Sequence, residues 1–307
     1  MNRGTIVISG GTGFIGRAVI SSLLENGYEV AVLTRDPARA ADLFGHGVKA
    51  AGWDGRTSEG WLDLASGARA IINLAGENIG AGRWTKKRKQ AIVESRLNAG
   101  KAVMDAVRRA SAKPKVLIQA SAVGYYGSRA DEVLDESASA GQGFLAGLVQ
   151  YWENSTSAAE SFGLRRVVIR SGLVLDARGG VLPRMLKPFR LFAGGPLGSG
   201  RQWLSWIHLQ DEVAAIRFLL EREDLSGVFN LSTPGPLIMN EFARILGRGM
   251  RRPAVFRVPA FLLRLLYGDM AEETLLSGQR VEPQALLRAG FQFLYPRLED
   301  ALRDILR

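Results

Sequence analysis

Apolar residues along the chain fall into short runs that alternate with segments of helical periodicity. The first run, Thr5–Ser9, precedes a helix predicted over residues 17–25 and a second run over residues 29–33. Further strand-like runs lie at residues 48–53, 70–74, 116–120, 166–170 and 228–231. Further helices are predicted to begin at Pro37, which suits a first helical turn, and to span residues 86–109, 144–161 and 211–220. Short apolar strands between helices predict an α/β fold with a parallel, doubly wound sheet covered on both faces.

The alternation ends in the second half of the chain. Residues 177–200 are rich in glycine, proline and basic residues, and from Thr233 onward helices no longer alternate with clear strands. We predict a first domain over residues 1–232 and a smaller, mostly helical substrate or lid domain over residues 233–307, with the inserted segment 176–204 contributing to the smaller lobe. A ligand cleft is expected between the lobes, at the carboxyl ends of the strands.

The turn after the first strand carries a recognisable glycine pattern. Gly10, Gly13 and Gly16 stand between the first strand and the first helix, and Gly11 with the last two also matches G-x-G-x-x-G. Glycine allows a tight turn and a close approach to a pyrophosphate, and a helix N-terminus offers N–H groups to the anion. An ordinary glycine-rich turn is the alternative, but the strand–helix–strand context favours a dinucleotide-binding, Rossmann-type domain.

The end of the second strand bears on which dinucleotide would bind. An acidic residue there normally bonds the adenosine ribose of NAD, whereas this chain has Thr34 and Arg35. A guanidinium at that place suits the 2′-phosphate of NADP. Asp36, one residue further, is an acidic residue of the kind that binds NAD, so NAD remains an alternative. The alternative for Arg35 is an exposed arginine that sets no cofactor preference. The sequence favours NADP(H).

Composition narrows the possible classes. The 307 residues are 47% apolar, enough for one large α/β domain and a smaller one, and there is no cysteine. A disulfide framework and a structural zinc site are therefore excluded, and only His46 and His208 offer imidazole to a metal. No secretory pattern or membrane-length apolar run is found, so we predict a cytoplasmic enzyme without a membrane partner.

The basic balance of the chain raises the question of an acidic partner. The net charge is +10, and the densest basic cluster covers residues 83–89. Nucleic-acid binding would call for aromatic stacking positions beside this cluster, and Trp84 alone is available. A solvated helix face near an anionic cofactor is the favoured interpretation.

Several motifs together resemble a known superfamily. The glycine loop, Asn73-Leu74-Ala75-Gly76, Ser121, and Trp206-Ile207-His208 ahead of Asp211 resemble the extended short-chain dehydrogenases/reductases of the sugar-nucleotide epimerase and dehydratase kind. An atypical subgroup, the epimerase family proteins with their own small C-terminal domain, is indicated by motifs starting at Leu74 (LAGENI), Arg83 (RW), Glu94 (ESR), Gly124 (GYYG), Gly194 (GGPLGSG) and Trp206 (WIH).

The resemblance implies a set of cofactor contacts. A pyrophosphate would be held by Gly10, Thr12, Gly13, Phe14, Ile15 and Gly16, and the adenosine phosphate would face Thr34 and Arg35. The adenosine side would be lined by Leu74, Ala75 and Gly76, and Arg96 and the turn Ser171-Gly172-Leu173 would approach the cofactor. The alternatives are strand-end core for Leu74 and Ala75, and a surface helix position for Arg96.

One departure from the superfamily concerns its catalytic pair. The resemblance implies a Tyr-x-x-x-Lys helix, but none of the six tyrosines here has lysine four residues later, and Leu145 and Val149 stand in the helix expected to carry it. An unassisted tyrosine, with a pKa near about 10, is a poor base at neutral pH. The remaining catalytic candidates are Ser121 and Tyr125 or Tyr126. Arg129, four residues after Tyr125, is a candidate source of positive charge. The alternative is that the two tyrosines pack or bind substrate without transferring a proton.

Further residues each allow two interpretations. His208 is either an acid/base or a structural residue before a helix capped by Asp211, and the latter is favoured. Trp203 and Trp206 either pack between the two lobes or form a platform on which a sugar stacks, and packing is the favoured interpretation. A second phosphate cradle or a lid without ligand contacts is predicted at Gly194, Gly195, Gly198 and Gly200, with Arg184, Lys187, Arg190 and Arg201 nearby in the sequence.

We therefore predict an NADP(H)-binding, nucleoside-diphosphate-sugar epimerase-like oxidoreductase acting on a small molecule, with phosphorylated or nucleotide-linked compounds as the candidates. The alternative is a catalytically silent NADP(H)-binding scaffold or redox sensor that acts through a protein partner. The sequence predicts no oligomeric state.

Overall fold

The computed structural model describes residues 3–307, apart from the side chain of His46. The strands are β1 Thr5–Ser9, β2 Glu29–Thr34, β3 Val48–Gly52, β4 Ala70–Asn73, β5 Val116–Ala122, β6 Val133–Leu134, β7 Arg165–Ser171, β8 Leu173–Asp176, β9 Gly179–Gly180, β10 Trp203–Leu204, β11 Trp206–His208, β12 Gly227–Leu231, β13 Leu237–Ile238 and β14 Arg280–Val281. The helices are α1 Phe14–Glu25, α2 Pro37–Phe44, α3 Leu62–Ala65, α4 Lys86–Arg109, α5 Phe144–Asn154, α6 Leu182–Arg190, α7 Leu209–Glu221, α8 Met239–Met250, α9 Ala260–Tyr267, α10 Asp269–Thr274, α11 Gln284–Arg288 and α12 Leu298–Ile305.

Seven strands form one parallel sheet in the order β12-β7-β5-β4-β1-β2-β3. Ile6 and Ile8 of β1 belong to the core under α1 and α7, while Val7 belongs to the opposite core under α4. Because both faces are covered, the central strands β1 and β4 consist mainly of apolar residues. The predicted doubly wound α/β fold is confirmed.

The sheet reverses its strand order between β1 and β4. From β1 the chain continues outward to β2 and β3, then returns to β4 on the other side of β1. The carboxyl ends of the two neighbouring strands therefore open a crevice, the usual ligand position in such sheets. The glycine turn lies at this point.

A second core joins the inserted segment to the end of the chain. Phe189 of α6, Phe242 of α8, Leu302 of α12 and the wholly buried Trp206 belong to one apolar cluster. Another contact crosses between the lobes, since the Glu273 carboxylate of α10 accepts hydrogen bonds from the first two backbone N–H groups of α5 at 2.9 and 2.7 Å. The boundary proposed at residues 232 and 233 stays a prediction.

Two helix predictions need correction. The helix predicted over 144–161 ends at Asn154 and is followed by a 3-10 turn, Ser157–Phe162. The Ser155 side chain lies where a Cβ on Gly100 of α4 would be, and its hydroxyl bonds the Trp152 carbonyl, so packing against α4 ends the helix. The first helix begins at Phe14 instead of residue 17, directly after the glycine turn.

The predicted cap of α7 was wrong. His208 caps the helix, with Nδ1 accepting a hydrogen bond from the Gln210 N–H at 3.1 Å. Asp211 is wholly buried, and its carboxylate accepts hydrogen bonds from the backbone N–H groups of Leu294 (2.7 Å) and Tyr295 (2.9 Å). Asp211 thus fastens the C-terminal segment to the sheet domain.

We expect Asp211→Ala to lower the free energy of unfolding by about 2–4 kcal/mol, because two backbone donors lose a charged acceptor. Chemical denaturation measures the change. Asp224→Ala is the control, since Asp224 forms an exposed ion pair with Arg222, and its removal should leave the midpoint nearly unchanged. Equal effects of the two substitutions would contradict the anchoring role of Asp211.

Candidate functional site

The glycine turn is too tightly packed for larger residues at two positions. Gly10 has φ +71°, and a Cβ there would lie 2.7 Å from the Leu74 carbonyl group; a Cβ on Gly16 would lie 2.4 Å from the Gly10 oxygen. Gly13 precedes α1 in an extended conformation, without a side-chain cap and with no acidic residue in the first turn. The start of α1 therefore offers its N–H groups to an anion in the crevice.

A ladder of buried side chains aligns the strand ends at this crevice. The Ser9 hydroxyl of β1 donates to Asn73 Oδ1 of β4 at 2.5 Å, and Asn73 Nδ2 donates to Gln119 Oε1 of β5 at 2.9 Å. All three side chains are wholly buried. Their amides and hydroxyl fix the register of three strands where the sequence predicted ligand contacts.

At the end of β2, Arg35 and Asp36 differ in whether their side chains have a bonding partner. The Asp36 carboxylate accepts the Arg39 N–H at 3.0 Å and caps α2, and the Asp36 N–H bonds the Thr34 hydroxyl. Arg35 is exposed and has no hydrogen bond or ion pair to any residue from 3 to 307. The guanidinium is therefore available to a ligand, whereas the neighbouring carboxylate is engaged.

Arg96 is buried under the turn that follows β4. Its Nη1 donates to the Glu77 and Ile92 carbonyls at 3.1 Å each, and its guanidinium lies 4.7 Å from the ring centroid of Trp152. Burial lowers the pKa of Arg96 to about 10, although the charge of Glu77 opposes this. A Cβ on Gly76 would lie 3.0 Å from the guanidinium carbon, so the two residues pack closely. The surface position considered for Arg96 was wrong; contact with a cofactor stays a prediction.

Ser121 belongs to a buried polar network centred on an ion pair. Arg170 of β7 binds Glu153 of α5 through Nε (2.8 Å) and Nη2 (2.9 Å). The Ser121 hydroxyl donates to Glu153 Oε1 at 2.5 Å. Burial opposes the charge of Arg170, but hydrogen bonds and the charge of Glu153 outweigh it and raise the pKa of Arg170. We name these residues, together with Tyr126 and Asn230, the Glu153–Arg170 network.

The two candidate tyrosines occupy different environments. Tyr126 is wholly buried; its hydroxyl accepts from Arg170 Nη1 at 3.0 Å and donates to Asn230 Oδ1 at 2.7 Å, and burial raises its pKa. Tyr125 is partly exposed, and its ring centroid lies 3.4 Å from the Arg170 guanidinium carbon. Its hydroxyl bonds no group in the described part of the chain. Tyr125 is thus the tyrosine of this pair whose hydroxyl is available for chemistry.

The positive charge beside Tyr125 comes from Arg170 instead of Arg129. The Arg129 guanidinium donates to the Ser139 carbonyl and hydroxyl at 2.9 Å each and pairs weakly with Glu132 at 3.3 Å. Arg129 therefore braces its own loop. The sequence distance of four residues between Tyr125 and Arg129 has no helix to bring them together.

The turn after β7 rests on a carboxyl group that sequence reasoning missed. The Ser171 hydroxyl donates to Glu212 Oε1 at 2.6 Å, and Glu212 is wholly buried with Oε2 unpartnered among the described residues. Burial raises the pKa of Glu212 to about 8. The turn itself is fixed by hydrogen bonds from the Gly172 N–H to Leu231 and from the Leu173 N–H to Ser205. The sequence carries no clear signal for this role, because Glu212 follows Gln210 and Asp211 in the polar first turn of α7.

The glycines considered as a second phosphate cradle or a lid pack closely against other protein atoms. A Cβ on each would lie within 2.5 Å of a neighbouring residue: Phe189 at Gly194, Phe256 at Gly195, Leu276 at Gly198 and Asn240 at Gly200. This segment is a packing surface between the inserted segment and the C-terminal lobe. Trp206 is also buried, with Nε1 donating to the Gly235 carbonyl, while Trp203 bonds Asp131 and lies against Arg280.

His208 has a structural position. It is almost wholly buried, its ring stacks on Tyr295 with centroids 4.1 Å apart, and its Nε2 lies 3.3 Å from Asp304 Oδ2, off the line of a good hydrogen bond. Burial lowers the pKa of His208, with Asp304 and Asp211 opposing. The structural interpretation favoured from the sequence agrees with this environment.

Two further expectations can be set beside the structure. Among the described residues, no cluster of three or more histidine, aspartate or glutamate side chains could hold a metal ion. No helix of residues 3–307 is long and apolar enough to span a membrane. Within the basic cluster, Arg88 pairs with Glu77 and Lys89 with Asp269, each at 2.7 Å.

Two models of known protein families match the chain. The model of the NAD dependent epimerase/dehydratase family matches residues 6–232, and a domain of unknown function, DUF1731, matches residues 258–305. The chain belongs to the NAD-dependent epimerase/dehydratase family. The resemblance inferred from the motifs is confirmed.

Similar proteins extend over nearly the whole chain. Epimerase family protein ML0860 of Mycobacterium leprae is 40% identical over 98% of this chain and 95% of its own length, and mouse SDR39U1 is 36% identical over 98% and 99%. The crystal structure of human SDR39U1 with NADPH has a TM-score of 0.88 at 32% identity, covering 98% of both chains. A UDP-N-acetylglucosamine 4-epimerase of Methanobrevibacter ruminantium, with a TM-score of 0.78 at 18% identity over 100% of this chain and 98% of that one, shares the fold.

We expect the stability of the protein to depend on pH through Glu212. Its folded-state pKa of about 8 exceeds the ordinary value of 4.5, so its contribution is complete below about pH 4.5 and is lost as the pH rises through 8. Glu212→Gln should remove this loss, at most about 1.4 kcal/mol per pH unit. Urea denaturation between these limits measures it.

The control for this experiment is Glu94→Gln, which changes an exposed glutamate. Its unfolding free energy should follow the wild-type pH dependence. Parallel pH profiles for wild type and Glu212→Gln would show that the buried carboxyl group is not held protonated by the fold.

Proposed function

We propose that the protein is an NADP(H)-dependent oxidoreductase of the epimerase type. The observation that carries the cofactor assignment is the state of the β2 end, where the Arg35 guanidinium is free and the Asp36 carboxylate caps α2. A free guanidinium favours a 2′-phosphate, whereas one oxygen of the neighbouring carboxylate already accepts the Arg39 N–H. The NADPH in the structure of the human relative supports the same choice.

The crevice between β1 and β4 would hold the cofactor. The start of α1 meets the pyrophosphate, with no carboxylate in its first turn to repel it. The adenosine half would lie toward Thr34 and Arg35, and the turn containing Leu74, Ala75 and Gly76 would line it. When bound, NADP(H) supplies hydride donation and acceptance. The protein's own residues must orient the substrate and move a proton.

Tyr125 is the residue we assign to proton transfer. Its hydroxyl bonds no group among the described residues, and the Arg170 guanidinium carbon lies 3.4 Å from its ring centroid. Arg170 takes the place that lysine has in the superfamily pair, but it acts through the ring face and is itself neutralised by Glu153. The Ser121 hydroxyl, which donates to Glu153, would turn toward a substrate oxygen only by leaving that acceptor.

A silent NADP(H)-binding scaffold or redox sensor is the second candidate. The observation in its favour is that Ser121 and Tyr126 are both committed to the Glu153–Arg170 network. The substrate class, a phosphorylated or nucleotide-linked small molecule, rests on the resemblance, since the sugar-nucleotide enzyme of similar fold is only 18% identical. A cytoplasmic location likewise stays a prediction.

For cofactor choice, we expect NADPH to bind more tightly than NADH, and Arg35→Ala to weaken NADPH by at least about tenfold because a charge-assisted bond to phosphate is lost. NADH affinity should not change. Fluorescence titration of the six tryptophans measures both.

Lys101→Ala, which removes an exposed charge on α4, is the matched control for that titration and should bind both dinucleotides like the wild type. Equal affinity for the two dinucleotides, or an Arg35→Ala variant that still prefers NADPH, would overturn the phosphate assignment.

For catalysis, we expect NADPH oxidation with at least one member of a panel of carbonyl compounds and nucleotide sugars. Tyr125→Phe should lower kcat by at least about 100-fold, the usual contribution of a proton-transfer group, and leave stability nearly unchanged. Tyr126→Phe should instead destabilise the fold, because Arg170 and Asn230 each lose a buried partner. The loss of reduced-nicotinamide absorbance measures turnover. NADPH binding without turnover of any compound would favour the silent scaffold.

A further inference from the structure

A second concave site lies in the C-terminal lobe, apart from the glycine turn. The cavity has a volume of about 590 Å³, and its walls are formed by α8, the loop that follows it, and Pro196. This volume is within the range of small-ligand sites. Five of its lining residues are arginines, and none is acidic: Arg244, Arg248, Arg251, Arg252 and Arg257. We call this cavity the arginine pocket.

Protein carboxylates do little to neutralise these charges. Arg244 is 3.6 Å from Glu241, a distance that leaves the pair weak. Arg248 and Arg251 are exposed, and their side chains form no hydrogen bond or ion pair within the described residues. Arg257 donates to the Ser199 carbonyl and to Asn240 Oδ1, which are neutral acceptors. An uncompensated basic cavity of this kind attracts anions.

The shape of the pocket depends on the end of α8. The Arg252 N–H bonds the Gly247 carbonyl at 2.8 Å, which folds the loop back over the helix. A Cβ on Gly247 would lie 2.8 Å from the Arg252 carbonyl oxygen, so this approach requires glycine. These two contacts set the course of the backbone that carries Arg251 and Arg252.

Arg251 occupies a backbone position that glycine usually takes. It follows the last turn of α8 with φ 55° and ψ 47°, the left-handed conformation that disfavours residues with a Cβ. An arginine here costs stability, and its side chain forms no hydrogen bond or ion pair within residues 3–307. Arg251, in this strained conformation, is one of the residues that line the charged cavity.

We propose that the arginine pocket binds a small soluble ligand with several phosphate groups, an oligophosphate. Guanidinium groups bind phosphate through paired, charge-assisted hydrogen bonds. The pocket is concave and of small-ligand size, which favours a compact anion over a nucleic-acid duplex. Phe192 lies against Arg252, 4.3 Å from ring centroid to guanidinium carbon, and stiffens that side chain. This site is independent of the proposed cofactor crevice.

The test is calorimetric titration with inorganic tripolyphosphate, with NADPH present so that the glycine turn is occupied. Arg248→Ala and Arg251→Gly should each weaken binding by at least about tenfold, as loss of a charge-assisted contact implies. Arg251→Gly should also raise the thermal midpoint, because glycine relieves the left-handed strain. A gain in stability with a loss of affinity separates ligand binding from a damaged fold.

The matched control is the double variant Arg56→Ala/Lys101→Ala, which removes two exposed charges that do not line the pocket and should leave affinity unchanged. An equal loss of tripolyphosphate affinity in the control variant would show that overall charge causes the effect, and it would contradict a specific site. Displacement of tripolyphosphate by NADPH would place it in the glycine turn and also overturn it. Vesicles of phosphatidic acid and a short DNA duplex are the other arms, and binding to either without binding to tripolyphosphate would contradict a small-molecule site.

Discussion

The bidentate ion pair between Glu153 and Arg170 is the interaction on which the candidate active site depends. Both groups are buried, and removing either one would leave an uncompensated charge in the sheet domain. The pair joins α5 to β7 and holds the Ser121 hydroxyl from β5. Through the Tyr126 hydroxyl it also fixes a second 3-10 turn, Val123–Tyr126, which carries both tyrosines. Arg170 then presents its guanidinium face to Tyr125. The position of the Tyr125 phenol is set by this network.

This arrangement gives a physical account of the missing tyrosine–lysine pair. In the superfamily pattern a lysine one helical turn away assists the tyrosine, whereas here the corresponding helix carries apolar side chains and contributes Glu153 instead. Leu145 lies near Gly124, in the turn before Tyr125. The catalytic candidate has thus moved from the helix to the turn after β5, and its cationic neighbour comes from the adjacent strand.

The sheet and its glycine turn could be predicted from sequence because both are local signals. Strands such as β1 are apolar on both faces. Gly10 and Gly16 are required because a Cβ would meet the Leu74 carbonyl group after β4 in the first case and the Gly10 oxygen in the second. The roles of Asp211, Glu212 and Arg96 could not be predicted in this way. Each acts across a large sequence separation: Asp211 on residues 294 and 295, Glu212 on Ser171, and Arg96 on the turn after β4.

Glycines are concentrated in two segments of the chain, the turn after β1 and residues 194–200. In the first, the close neighbours of the glycines leave the start of α1 open toward the crevice. In the segment 194–200, the glycines admit the ring of Phe189 from α6, the backbone of Phe256, and the side chains of Leu276 and Asn240. Composition alone does not distinguish these uses, because both require the absence of a Cβ. The basic residues that matter for a second anion site are instead those of α8 and the loop that follows it.

A crystal structure of the protein with NADP⁺ is the most direct test of the account. We expect the adenosine phosphate beside Arg35, the pyrophosphate at the start of α1, and the nicotinamide facing the Tyr125 hydroxyl across a space open to substrate. A nicotinamide directed away from Tyr125 would contradict the catalytic assignment. A dinucleotide bound elsewhere than the crevice between β1 and β4 would contradict the cofactor site itself.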